Sequence, residues 1–166
     1  IPRDVIATPN FLNLLVYQAL VPKLCTKCKL PAEKVYPQEY IEQIQRLFAF
    51  DTTNMCGKNT GGCKECMREH LPELSGSKGR LVVAEMIEPT PKMLMLFRDA
   101  QNIELKKYIQ SQRTAGFDEP DSTGKSALEV AMYHVAHGVI DPKEVELKFG
   151  SFDQYEQERL ELSREE

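Results

Sequence analysis

Two Cys-x-x-Cys pairs, Cys25-Thr26-Lys27-Cys28 and Cys63-Lys64-Glu65-Cys66, constrain the fold more than any other feature of the chain. Such a pair holds two thiolates on one tight turn, each able to lie about 2.3 Å from a shared ion. Two of these knuckles complete a tetrahedral site with no position open to water, so the chain must bring residue 25 beside residue 63. A disulfide framework fits less well. The cysteine count is five, and Ile1-Pro2-Arg3-Asp4 lacks the basic start, apolar centre and small-residue cleavage site of a secretory leader. A thioredoxin-like redox motif needs one pair at a strand-to-helix junction, not two. The spacing therefore predicts a structural zinc site of Cys25, Cys28, Cys63 and Cys66, which fixes two segments that could not otherwise bury a core. Cys56 is the surplus thiol. With Cys63, Cys66 and His70 it forms a second conceivable set, but that set strands Cys25 and Cys28, so Cys56 is read as a free or partly buried thiol.

Charge narrows the partners. The net charge of −4 is carried by the tail from Asp153 to Glu166, with six acids against Arg159 and Arg164, and the rest of the chain is neutral. Lys23, Lys27 and Lys29 cluster near Cys25, but no longer basic stripe with interleaved aromatics follows, which argues against nucleic acid. The tail reads as a solvated helix face or a disordered end, with a partner-binding helix as the weaker alternative. At 42% apolar and 28% charged residues, the composition is that of a globular protein, and no apolar run approaches the roughly 18 residues of a membrane span. Because residue 1 is Ile, the chain is read as a piece of a longer one.

The predicted fold class is α+β and mostly helical: a zinc-knuckle subdomain beside a short strand, then a small helical bundle. Thr8-Pro9 reads as a helix start, and Phe11, Leu12, Leu15, Val16, Ala19 and Leu20 follow at helical spacing, predicting a helix that ends near Pro22. Pro37 opens a second helix with Tyr40, Ile41, Ile44, Leu47 and Phe48 on one stripe. Leu81 to Met86 reads as a strand returning to a sheet whose other strands lie elsewhere. Pro89 and Pro91 start a helix carrying Met93 and Leu96, Asn102 caps another, Leu128 to Val135 mark a third stopped by Gly138, and Asp141-Pro142 begins a fourth. Four segments result: 1–24, 25–79 with the cysteines, 80–150 with the strand and bundle, and the tail 151–166.

Other motifs carry less chemistry. Ser122-Thr123-Gly124-Lys125-Ser126 resembles the end of a phosphate-binding loop, but position 119 is Glu where that loop needs Gly, and Asp118, Glu119 and Asp121 would repel phosphate. It is read as a helix cap. His134 and His137 have a metal-compatible spacing without a third ligand nearby, and nothing resembles a nucleophile elbow. No catalytic residue is assigned.

The segment from Tyr17 to Lys29, with Leu24-Cys25-Thr26-Lys27-Cys28 at its end, resembles the stretch closing the ATPase core of type II secretion and type IV pilus assembly ATPases. Cys63-x-x-Cys66 is similar to that family's second knuckle. Gly79-Arg80 followed by Val83-Ala84-Glu85-Met86 resembles its Gly-Arg-x-Gly-Ile-x-Glu-Leu strand, and Gly138 to Val145 resembles its Gly-x-Thr-x-x-Glu-Val ending. Ile1 to Leu15 resembles, more distantly, the stretch after the catalytic core. Ala19 stands where the family has Arg, Met67 to Lys78 is longer than the family's turn, and Ser122 to Lys125 replaces its Asp-Asp-Gly helix start.

The resemblance implies a hexameric motor, cytoplasmic and peripheral to the bacterial inner membrane. Such a motor hydrolyses ATP with Mg2+ and acts on an inner-membrane platform protein and other secretion or pilus assembly components. Residues 1–24 would then be the C-terminal edge of the ATPase core. The phosphate-binding loop and Walker B acid lie upstream in that family, so this piece alone is expected neither to bind nor to hydrolyse ATP. Cys25, Cys28, Cys63 and Cys66 carry over as structural zinc ligands. The competing expectation is a free-standing zinc-ribbon adaptor that binds a protein partner through its helical bundle.

Overall fold

The computed structural model describes residues 1–68 and 70–164. A short helix α1 (Arg3–Ile6) leads to strand β1 (Leu15–Leu24), then β2 (Leu30–Pro31), helix α2 (Gln38–Phe48), β3 (Cys56–Gly57) and strand β4 (Ser77–Ile87). Five helices follow: α3 (Pro91–Arg98), α4 (Asn102–Ser111), α5 (Ala127–Ala136), α6 (Pro142–Phe149) and α7 (Phe152–Arg164). The fold is α+β, with two small antiparallel sheets, β1-β4 and β2-β3. No described helix is long and apolar enough to cross a membrane.

The helix predicted from Phe11 to Leu20 is not formed; Leu15 to Leu24 is a strand. Nearly every residue there is apolar, so helical spacing and period-two spacing are both satisfied, and the tertiary pairing decides between them. β4 supplies a partner of matching length, in register Val16↔Met86, Ala19↔Val83 and Val21↔Leu81, broken by an irregularity between Pro22 and Leu24. From Gln18 to Val21 the burial alternates with period two, Ala19 and Val21 facing inward while Gln18 and Leu20 are exposed; Leu15 to Tyr17 are exposed on both faces. The strand expected at Leu81 to Met86 is present and longer, and its partner lies within this chain.

Elsewhere local signals and tertiary structure agree. Pro37 stands at the N-cap of α2, whose Ile41, Ile44, Leu47 and Phe48 are buried, and Ala49 closes it in the left-handed region at φ 51°. Ser126 caps α5 in a reciprocal capping box with Glu129, and Asp141 caps α6 ahead of Pro142. Gln101, rather than Asn102, is the N-cap of α4. One core joins these elements. Phe48 lies at its centre, with ring centroids 5.4 Å from Phe117, 5.5 Å from Phe152 and 5.1 Å from Tyr155. Val21 and Val83 of the β1-β4 ribbon, Ile44 of α2, Met132 of α5 and Val145 of α6 belong to the same cluster, so residues from all four sequence segments share it. Each such buried side chain contributes about 1.5–3 kcal/mol.

The acidic tail is helical. Phe152 is fully buried, Tyr155 donates to Glu129 Oε1 at 2.6 Å, and Arg159 donates to the Leu47 carbonyl at 2.8 Å. Glu156 pairs with Arg46 of α2 and Glu158 with Lys106 of α4, so two of the tail's acids meet basic partners in the body. Glu165 and Glu166 lie outside the described residues.

Candidate metal centre

Cys25 follows the last residue of β1, and its backbone N–H donates to the Gly76 carbonyl at 2.8 Å, one residue before β4 begins. The two Cys-x-x-Cys turns share one hydrogen-bond pattern. Cys28 N and Lys29 N donate to Cys25 O at 3.2 and 2.9 Å, and Cys66 N and Met67 N donate to Cys63 O at 2.9 and 2.7 Å. These are paired knuckles, and they face each other.

The four sulfurs all lie within 4.8 Å of one another, forming among the described residues the single His/Cys/Asp/Glu group able to hold a metal ion. Cys25 Sγ is 3.9 Å from Cys63 Sγ, Cys28 Sγ 3.5 Å from Cys66 Sγ, and Cys63 Sγ 3.7 Å from Cys66 Sγ. Thiolates about 2.3 Å from a central ion at tetrahedral angles stand about 3.8 Å apart, so the spacing fits a four-coordinate metal. Cys25 and Cys66 are buried, while Cys28 and Cys63 are partly exposed.

The surroundings favour thiolate at one position and not at another. Burial opposes ionisation of Cys66, but the backbone N–H groups of Cys63 at 3.2 Å and Gly76 at 3.3 Å point at its sulfur and bring the thiol down to about 7. Burial, followed by hydrogen bonding to Cys66, Cys63 and Cys25, raises the Cys28 thiol, because four crowded sulfurs cannot all ionise without a cation. Gly76 makes the approach possible. It has φ +83°, and a Cβ there would collide with the Asn59 carbonyl oxygen.

Cys56 is not part of the group; its thiol donates to the Asn54 carbonyl at 3.5 Å and stands against Gly138. His70 is exposed and does not join either. His134 and His137 pack on Tyr133, with ring centroids 5.0 and 4.5 Å from its ring, in a packing role. Lys125, the lysine of the discarded phosphate-loop reading, donates to the carbonyls of Gly116 and Glu119, so its ammonium closes its own loop.

Sequence reading assigned Asp141 only a capping role, yet it joins the cysteine loops to the helices. Its carboxylate is buried and accepts from Tyr36 Oη at 2.5 Å, Lys143 N at 2.7 Å and Lys58 N at 2.6 Å. Beside it, Lys58 Nζ donates to Glu73 O at 2.6 Å and pairs with Glu144 at 3.1 Å, while Lys29 Nζ donates to Gly138 O at 2.7 Å. Leu24 N donates to Val139 O at 2.8 Å. The metal-site loops are thus seated on the α5-α6 turn. An Asp-Pro pair before a helix is legible locally, but its three partners are not.

Comparison with models of known protein families finds no match, and comparison with curated proteins finds no significant one.

Proposed function

We propose that the four thiols hold a structural zinc ion and that the chain is the C-terminal, non-catalytic arm of a hexameric ATPase powering type II secretion or type IV pilus assembly. The observation that carries this reading is the placement of the tetrathiol group. It ties the end of β1 to the start of β4 at one end of a ribbon whose inner face is built into the core. Four sulfur donors and no oxygen donor suit zinc, and a bound zinc ion supplies a closed cross-link with no position for substrate. The arm stays rigid while its neighbours move, which a torque-transmitting element requires.

Residues aligned by the family resemblance hold structural positions consistent with it. Glu85 of β4 accepts from Ala127 N at 3.0 Å at the start of α5, and Gly138 ends α5 in the left-handed region at φ +61°. Val145 is fully buried. ATP and Mg2+ would be bound by the upstream part of the parent protein, and the inner-membrane platform protein would be its partner.

The experiment is the complete reading frame together with an ATPase assay. A Gly-x-x-x-x-Gly-Lys-Ser/Thr loop upstream, with activity in the long protein and none in residues 1–166, supports the motor arm. A start codon directly before Ile1 overturns it in favour of the zinc-ribbon adaptor.

A further inference from the structure

We infer that the metal site has an inner and an outer half, and that the outer half, Cys28 and Cys63, is a modification site for soft carbon electrophiles, whose attack there discharges the metal. The inference rests on the zinc reading above and not on the motor reading. Each knuckle contributes one sulfur to each half. Cys25 is 0% and Cys66 4% exposed, whereas Cys28 and Cys63 are partly exposed. Thr26 and Lys27 beside Cys28, and Lys64 and Glu65 beside Cys63, are all exposed, so both outer residues open onto solvent.

Gly76 ties the inner half together. Its carbonyl accepts from Cys25 N at 2.8 Å, and its N–H donates to Cys66 Sγ at 3.3 Å. Gly76 is buried, as are Ser75 and Ser77 on either side of it. The Cys63 N–H also reaches Cys66 Sγ, at 3.2 Å. Among the described residues, the backbone N–H groups that reach a sulfur of the site thus converge on an inner one. Two properties set how fast a metal-bound thiolate attacks carbon: access, and the charge on sulfur, which N–H donors draw off to leave a weaker nucleophile. Both point the same way. Cys66 is covered and twice hydrogen-bonded, and Cys25 is covered, while Cys28 and Cys63 are partly open and their sulfurs contact other sulfurs of the site. The reagent class is a small α,β-unsaturated carbonyl compound. The Cys28 or Cys63 sulfur adds to its β-carbon: one S–C bond forms, the C=C π pair shifts toward the carbonyl, and the α-carbon takes a proton from water. The resulting thioether is uncharged and a poor zinc ligand, so the four-thiolate set is broken and the clamp between the two knuckles is lost.

The test adds N-ethylmaleimide in small steps to the zinc-loaded chain, with a chromogenic zinc chelator too weak to strip the untreated site. Cys56→Ser is used beside the wild type, so that the free thiol does not consume the reagent. After unfolding, an isotopically distinct maleimide marks the thiols that remained, and tandem mass spectrometry locates both labels. At half release of zinc, Cys28 and Cys63 together should carry about tenfold more first label than Cys25 and Cys66 together, and zinc release should track that label. First label on Cys25 or Cys66, equal label on all four, or label on Cys28 and Cys63 with zinc retained overturns the proposal and leaves the zinc reading standing. A purified chain that carries no zinc before the reagent is added overturns both.

Discussion

Between Cys25 and Gly76 the described backbone forms one α-helix, two strands of two residues and three single turns of tighter helix, whereas from Ala127 to Arg164 three α-helices follow one another on short connections. The helical region buries Leu128, Met132, Val135, Ile140, Val145 and Phe152 and is held by packing. Between α2 and β4 the described residues bury two large apolar side chains, Phe50 and Met55, and the cysteine loops have four sulfurs where a core would be. Where the chain cannot remove enough apolar surface from water to offset its ordering entropy, a metal held by the four sulfurs would supply the difference. The two regions meet at Asp141, whose carboxylate is shared by Tyr36 and Lys58 of one and Lys143 of the other.

Variants that weaken one region at a time sharpen this contrast. The largest effect is expected from Cys63→Ser, which removes one of four ligands and leaves the loops without their clamp. Metal content should fall to zero and residues 25–76 should lose amide-exchange protection, while α5 to α7 keep part of theirs. Full protection of the loops in that variant would break the comparison. Asp141→Ala should come next, costing about 3 kcal/mol in urea unfolding, because three part-buried donors lose their shared acceptor, with zinc still bound at unchanged stoichiometry. Cys56→Ser should change stability by less than about 0.5 kcal/mol and leave metal content intact. Loss of metal on that change would move the ligand set.

The smallest effect concerns pH. Burial, and then the neighbouring His137, hold the His134 imidazole below its ordinary 6.5. The unfolded chain then binds the proton more readily, so stability is present above about 6.5 and declines as pH falls toward the lowered folded value. His134→Gln should flatten that decline between pH 7 and pH 5, measured as the difference between the two chains' unfolding free energies. Parallel pH profiles would mean that His134 titrates as in the unfolded chain.

The sequence disclosed α2, α5 and α6 because each combines a start signal with a stripe: Pro37 before Ile41 and Ile44, Ser126 before Leu128 and Ala131, Asp141-Pro142 before Val145. It also disclosed the four sulfurs, since Cys-x-x-Cys spacing is local and only the meeting of the two knuckles is tertiary. β1 was hidden because a run as apolar as Leu14 to Val21 satisfies both periods, and the choice rests on its pairing with β4, far along the chain. Tyr36, Tyr40 and Tyr155 were hidden for a related reason. Each donates to a carboxylate, Asp141, Glu146 and Glu129, and no periodicity specifies such pairs. The helical tail lay between, because its acids alone do not reveal that Arg46 and Lys106 await two of them.

The most direct test of the central claim is elemental analysis of the purified chain, wild type beside Cys56→Ser and Cys28→Ser, paired with thermal unfolding before and after a chelator. One zinc per chain in the wild type and in Cys56→Ser, none in Cys28→Ser, and loss of cooperative unfolding on chelation is the predicted result. Cooperative unfolding unchanged by the chelator in a metal-free wild type would contradict it, returning the four cysteines to ordinary packing.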